Sequence, residues 1–119
     1  MKLEWIVHEG KSILYADFRG AENKEAYVSF IHQALKMIKE RGGNYLALYN
    51  VRGVVLPPGI LETITAFTKA NNISPSKGAF LGMSSSAELL LKKINGFLSA
   101  EPLWKLFTSE KEAREWLVE

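Results

Sequence analysis

A short apolar strand followed by a polar exit and a proline-glycine helix entry constrains the fold of this chain most strongly. Tyr45–Tyr49 shows no alternation of apolar and polar residues. A strand of this kind is covered on both faces, as the central strands of parallel sheets are. Asn50–Gly53 form the polar exit, and Pro57–Gly59 open the next helix. Because parallel strands need long crossovers, usually helical, this stretch predicts an α/β domain.

Two segments at the amino end predict an antiparallel hairpin. In both Leu3–His8 and Ser12–Arg19, side chains alternate between two faces with the period of two that is typical of strands. Glu9–Lys11 lie between them and supply a short turn, with glycine available for positive φ.

Helices are predicted after the hairpin and after the central strand. Asn23 has the side chain of an N-cap, and Gly42–Gly43 stop the first helix. Its apolar residues form one stripe: Tyr27, Phe30, Ile31, Ala34, Leu35 and Ile38. The second helix is predicted from about Pro58 to Asn71, because proline is favoured at a first helical position. Its predicted buried face is Ile60, Leu61, Ile64 and Phe67.

Two further strand-and-helix pairs complete the chain. Lys77–Met83 contain a short apolar strand, and the serines that follow can cap a helix whose inward residues are Ala87, Leu90, Leu91, Ile94 and Leu98. Leu103–Thr108 form the last predicted strand, in which Lys105 suits a sheet edge. Ser109 and Glu112 have capping-box spacing and open a closing helix that carries Ala113, Trp116 and Leu117.

The predicted order of elements is ββαβαβαβα. Alternating strands and helices favour parallel pairing with right-handed crossovers. We therefore predict a mixed, mostly parallel five-stranded sheet that begins with an antiparallel hairpin and forms a single domain over residues 1–119.

The composition excludes several classes of function. The 119 residues contain no cysteine, so disulfides, thiolate zinc sites and a cysteine nucleophile are excluded. A net charge of +2 is too small to favour nucleic acid or an anionic membrane as a partner. No run approaches the roughly 20 apolar residues that span a bilayer. Met1–Trp5 lack the apolar core of a signal peptide. We expect a cytoplasmic protein with no transmembrane segment.

The order and spacing of these elements resemble the STAS fold of anti-sigma-factor antagonists, and more narrowly the SpoIIAA-like STAS/Sec14-type proteins of bacteria. The likeness covers nearly the whole chain. It is carried by the opening hairpin, by Leu48–Gly59 (LYNVRGVVLPPG) and by Leu106–Leu117 (LFTSEKEAREWL). The resemblance implies a binding or regulatory module without enzymatic activity.

The chain departs from that family at the second helix entry. Regulatory STAS proteins carry Asp-Ser-Ser-Gly there, and a kinase phosphorylates a serine of this motif. Here the equivalent stretch is Leu56–Gly59, in which the glycine alone matches. Proline has no hydroxyl group, so Pro57 and Pro58 cannot accept phosphate. The resemblance therefore implies a binding module without the phosphorylation switch.

An anion or ligand site is one prediction for the carboxyl ends of the strands, where open α/β sheets bind ligands. Arg19 and Arg52 can form a bidentate clamp for a carboxylate or phosphate, with Asn50 beside them. Ser84, Ser85 and Ser86 begin a predicted helix and would offer backbone N–H groups to the same anion. The alternative is that the serines are helix caps and that the arginines are solvated.

No catalytic or metal site is predicted. Ser84–Ser86 do not match a P-loop or a G-x-S-x-G elbow. His8 and His32 are the only histidines and lack acidic partners at ligand spacing. Asp17 has a simpler interpretation as the partner of a Lys or Arg across the sheet. We therefore expect no enzyme activity, no metal and no cofactor.

An apolar loop is the preferred interface. The predicted interface residues are Val54, Val55, Leu56, Pro57, Pro58, Ile60 and Leu61. Exposed apolar loop residues mark partner surfaces, although the same segment would be buried if it folded down over the sheet. The first functional hypothesis is a non-enzymatic module that binds a protein partner or a second copy of itself. The alternative is a carrier or sensor of a small lipid or anionic metabolite.

Overall fold

The structure is a computed structural model that describes residues 1–55, 57, 59–60, 62–63, 66, 70, 75–83, 89 and 104–119. The predicted helix after Ser84–Ser86 falls almost entirely outside these residues. Of the predicted site residues, six lie outside them: Leu56, Pro58, Leu61, Ser84, Ser85 and Ser86.

Five strands form one mixed sheet in the order β1-β2-β3-β4-β5. The strands are β1 Lys2–His8, β2 Lys11–Asp17, β3 Leu46–Asn50, β4 Lys77–Leu81 and β5 Trp104–Phe107. β1 pairs antiparallel with β2, and every other neighbouring pair is parallel. This confirms the predicted mostly parallel sheet with an opening antiparallel hairpin. β5 lies at an edge, as Lys105 predicted.

The hairpin turn shows why the chain reverses after His8. Glu9 and Gly10 both have positive φ, of 50° and 78°. Positive φ at both central residues defines a type I′ turn, whose twist matches that of the flanking strands. His8 therefore pairs directly with Lys11, and the register continues one residue to one residue as far as Lys2 and Asp17.

Two helices have described bounds, α1 at Lys24–Arg41 and α2 at Glu110–Leu117. The Ala26 N–H donates to Asn23 Oδ1 at 2.8 Å, so the predicted cap of α1 is confirmed. α1 ends at Arg41, and the next residue, Gly42, has a φ of 70° as its C-cap. The Glu112 N–H donates to Ser109 Oγ at 3.3 Å and caps α2. In the stretch of the second predicted helix, the residues that the structure describes as helical are Ile60, Glu62, Thr63, Ala66 and Ala70.

The two helices cover opposite faces of the sheet. The stripe of α1, including Phe30 and Leu35, packs with Ala16, Phe18 and other residues of one face. Ala113 and Leu117 of α2 pack on the other face, in one cluster with these strand residues: Ile13, Leu48, Ala79 and Leu81. β3 is buried from both sides, as its continuous apolar sequence predicted.

None of the helices within the described ranges combines the length and apolarity that crossing a membrane requires.

Candidate functional site

The carboxyl ends of β2 and β3 have the same side-chain-to-backbone turn. Asp17 and Asn50 are the last residues of these strands and stand opposite one another in the parallel register. Asp17 Oδ1 accepts the N–H of Arg19 at 3.0 Å, and Asn50 Oδ1 accepts the N–H of Arg52 at 3.2 Å. Asp and Asn favour such turns because their short side chains reach the backbone two residues on. The sheet edge predicted to bind an anion is thus shaped by two side chains that bond the backbone.

Asp17 and Arg19 form a close ion pair at this edge. Arg19 Nε donates to Asp17 Oδ1 at 2.9 Å, and Arg19 Nη2 donates to Oδ2 at 2.7 Å. These hydrogen bonds from Arg19 lower the pKa of the Asp17 carboxyl group, although its burial acts in the opposite direction. The same hydrogen bonds raise the pKa of Arg19. The expected partner of Asp17 was a cation across the sheet, and this was wrong, because the cation comes from the exit of the same strand.

This pairing weakens the predicted clamp for an anion. The Arg19 side chain is about half exposed, but its Nε and one terminal guanidinium nitrogen already donate to Asp17. An incoming carboxylate would compete with a carboxylate that is held at bidentate distances. Arg19 therefore offers an anion far less than a solvated arginine would.

Asn50 serves the structure rather than an open ligand site. It is 1% exposed. Its Nδ2 donates to the Tyr15 hydroxyl at 3.1 Å, and its Oδ1 accepts from the Arg52 backbone. A buried amide needs such partners, because an unpaired one costs about 1–3 kcal/mol. The prediction that Asn50 lines a ligand site is therefore wrong.

Arg52 is the predicted anion-binding residue with the most freedom. Its side chain is exposed, and within the described residues its guanidinium has no hydrogen-bond or ion-pair partner. Its stem packs against the turn after β4, because a Cβ placed on Gly82 would lie 2.5 Å from Arg52 Cγ. Gly82 has a φ of 72°, so this turn also needs glycine for its backbone conformation.

The loop after β3 presents an apolar side chain to solvent between two anchored positions. Val51 is buried, and its carbonyl accepts the N–H of Val54 at 3.1 Å. Val54 is half-buried and packs against the α1-side cluster. Val55 then turns outward and is 89% exposed. Pro57 is half-buried, and its carbonyl accepts the N–H of Ile60 at 3.2 Å.

Ile60 belongs to the core and not to the interface. It is 1% exposed and lies in one cluster with Phe18, Val51 and Phe80. Its prediction as part of the buried helix face is confirmed, and its prediction as an interface residue is wrong. A helical apolar residue satisfies both interpretations at the level of sequence, and the packing of this segment on the sheet decides between them.

Aromatic rings fill the α1 side of the sheet near its carboxyl edge. Tyr49 stacks on Phe80 with ring centroids 4.9 Å apart, and Trp104 lies 5.4 Å from Phe80. Burial raises the pKa of Tyr49 well above its usual value. Gly78 makes room for Trp104, because a Cβ at Gly78 would lie 2.1 Å from the indole ring. Phe80 lies in the core, and Tyr49 and Trp104 pack against it.

A basic groove of about 480 Å³ lies at the opposite, amino edge of the parallel strands. Its cations already have structural partners. Lys11 Nζ donates to the Val118 carbonyl at 3.0 Å, and Lys77 Nζ donates to the Trp116 carbonyl at 2.8 Å. Cations at these positions satisfy the last carbonyls of α2 and its negative dipole end. The groove is therefore explained by the capping of α2.

Metal-ligand geometry is absent from the described part of the chain, where no three His, Cys, Asp or Glu side chains group together. Comparisons with models of protein families, with curated proteins and with solved structures found no match for this chain.

Proposed function

We propose that this protein is a non-enzymatic binding module of the SpoIIAA-like type, which contacts a protein partner through the loop after β3. The contact surface, called the β3 loop here, is Val54, Val55 and Pro57. The observation that carries the proposal is the outward-facing side chain of Val55, 89% exposed between the packed Val54 and the buried Ile60.

Anchoring on both sides favours a binding role for this loop. The half-buried Val54 packs against the core directly before Val55, and Ile60 is buried in the same cluster, so these two residues need little further ordering on binding. Full burial of a valine is worth about 1.5–3 kcal/mol, which corresponds to roughly 10–150-fold in affinity. Pro57 adds a rigid apolar neighbour without a hydroxyl group, which fits a constitutive contact better than a phosphorylation switch.

Site-specific photo-crosslinking in cells tests the proposal. A photoreactive phenylalanine analogue at Val55 should give discrete adducts with a partner protein. The same analogue at Gln33, which is exposed on the polar face of α1, is the matched control. Adducts of equal pattern and yield at both positions, or no adduct at Val55, would refute a partner site at the β3 loop.

The alternative is a small-ligand carrier or sensor, and the exposed guanidinium of Arg52 is the observation that favours it. An anionic metabolite or lipid headgroup would bind beside Gly82, where the stem of Arg52 is already fixed. Native mass spectrometry of protein purified under gentle conditions distinguishes this function. Extra mass on the wild-type monomer that is lost in Arg52→Gln would support the carrier, whereas a bare monomer would refute it.

A further inference from the structure

The outer edge of β1 is long and regular, and the described residues give it none of the usual protection. β1 has seven residues and pairs with β2 along its whole length without a bulge. It contains no proline. Such edges are templates for an added strand, and natural proteins usually shorten, bend or charge them.

The hairpin turn identifies which backbone groups point away from the sheet. In a two-residue hairpin, His8 and Lys11 form a hydrogen-bonded pair, and bonded and non-bonded pairs then alternate along the strands. Leu3, Trp5 and Val7 occupy the non-bonded positions, so their N–H and C=O groups point outward. The opposite side of β2 agrees with this assignment, because the Phe18 N–H donates to β3 at the Asn50 carbonyl.

Within the described residues, this row of groups has no backbone hydrogen-bond partner. Outside the strand ladders and helices, no backbone hydrogen bond of the described residues involves Leu3, Trp5 or Val7. The side chain of Val7 is also 69% exposed, so it is accessible to a partner strand.

The charges of β1 do not repel an approaching strand. Lys2 and Glu4 form an ion pair, with Nζ and Oε1 3.4 Å apart. A lysine at the edge normally acts as a guard by its unpaired charge, and here the neighbouring carboxylate offsets that charge.

We propose that β1 pairs antiparallel with β1 of a second copy of this chain, joining two sheets into one. The outward-facing residues are symmetric about Trp5. A single two-fold register therefore bonds every outward group, with Leu3 opposite Val7 of the second copy and Trp5 opposite Trp5 of the second copy. That register also covers the exposed Val7 side chain with a leucine.

The choice of a second copy follows from this self-complementarity. An unrelated extended peptide would also satisfy the backbone groups. The sequence of β1 does not specify how such a peptide would align, whereas a second copy of β1 has one register that pairs every outward group. The proposal is independent of the β3 loop, because β1 and β3 are separated by β2 in the sheet.

Proline scanning at Val7 tests the proposal. Val7→Pro removes an N–H that points away from β2, and prolines are tolerated on edge strands when the missing N–H faces solvent. The wild type should sediment with the mass of two 13.4 kDa chains at high concentration. Val7→Pro should raise the dissociation constant at least about tenfold, because the substitution removes two bonds per dimer. Val7→Thr is the matched control, since it keeps the N–H and the branched shape, and it should still dimerise.

Amide hydrogen exchange of the wild type provides a second measurement that does not depend on a variant folding. The amides of Leu3, Trp5 and Val7 should exchange rapidly in dilute protein and slow down as dimer forms. A wild type that remains monomeric at all concentrations would overturn the proposal. So would a dimer in which these three amides still exchange rapidly, or one that Val55→Lys dissociates and Val7→Pro does not. The last result would instead place self-association at the β3 loop.

Discussion

Truncation of the Ile60 side chain tests whether Ile60 belongs to the core, in contrast to the exposed Val55 of the same segment. Ile60 is 1% exposed and packs with Phe18, Val51 and Phe80. Ile60→Ala removes three buried carbon atoms, worth about 2.4 kcal/mol at roughly 0.8 kcal/mol each. The cavity left behind adds to this loss, so we expect a total of about 3–4 kcal/mol, within the range of about 2–5 kcal/mol for such substitutions.

The matched control lies five residues earlier in the same segment. Val55 is 89% exposed, so Val55→Ala should change the free energy of unfolding by less than about 0.5 kcal/mol. Ile60→Val provides an intermediate step, with an expected loss of about 0.5–1.5 kcal/mol. The predicted order of stability is therefore wild type and Val55→Ala together, then Ile60→Val, then Ile60→Ala.

Urea unfolding followed by tryptophan fluorescence measures these differences, since the chain contains three tryptophans. The slope of free energy against urea should stay constant while the midpoint falls, because the amount of surface exposed on unfolding hardly changes. A loss below about 1 kcal/mol for Ile60→Ala at constant slope would refute the core assignment of Ile60. Equal losses for Ile60→Ala and Val55→Ala would refute the distinction between core and loop.

Three further predictions concern the sheet and its carboxyl edge. Gly78→Ala should displace Trp104 from its stack, cost about 1–3 kcal/mol and change the tryptophan emission; unchanged emission and stability would contradict the close packing of the ring. Because the pKa of Asp17 is lowered in the folded state, its ion pair stabilises the protein above the ordinary pKa of 3.8 and is lost as pH falls through the folded value. The stability gap between wild type and Asp17→Asn should therefore narrow in urea titrations below that pH, and a gap that stays constant would be the contrary result. Asn50→Ala should cost about 1–3 kcal/mol in the same assay by leaving the Tyr15 hydroxyl and a turn N–H unpaired, and a neutral effect would show that Asn50 is not structural.

Features that depend on neighbouring residues were predicted correctly from sequence. Asn23 and Ser109 were assigned as caps, and each accepts an N–H from the residue three positions later. The hairpin turn was predicted over Glu9–Lys11 in the same way, and the structure places it at Glu9 and Gly10, with Lys11 already in β2. In each case a short polar side chain or a glycine meets backbone within the same turn, so that the local sequence contains both partners of the interaction.

The candidate site could be predicted only in part. Arg19 was correctly placed at the carboxyl edge, but its ion pair with Asp17 was missed, although the two residues are only two positions apart. Their spacing, Asp-x-Arg at a strand end, was the available signal. Strand periodicity places such residues on the same side, but it does not show that the strand has ended and that the arginine is free to turn back.

The burial of apolar residues after β3 was decided by the tertiary structure alone. Val55 and Ile60 are both branched aliphatic residues in one segment, and nothing in their composition distinguishes the exposed residue from the buried one. The sequence by itself determined the caps, the turn and the mostly parallel sheet, because these follow from backbone geometry and side-chain period. Which apolar side chain meets the sheet depends on atoms from β2, β4 and α1 that lie far away along the chain, so only their assembly makes Ile60 core and leaves Val55 available to a partner.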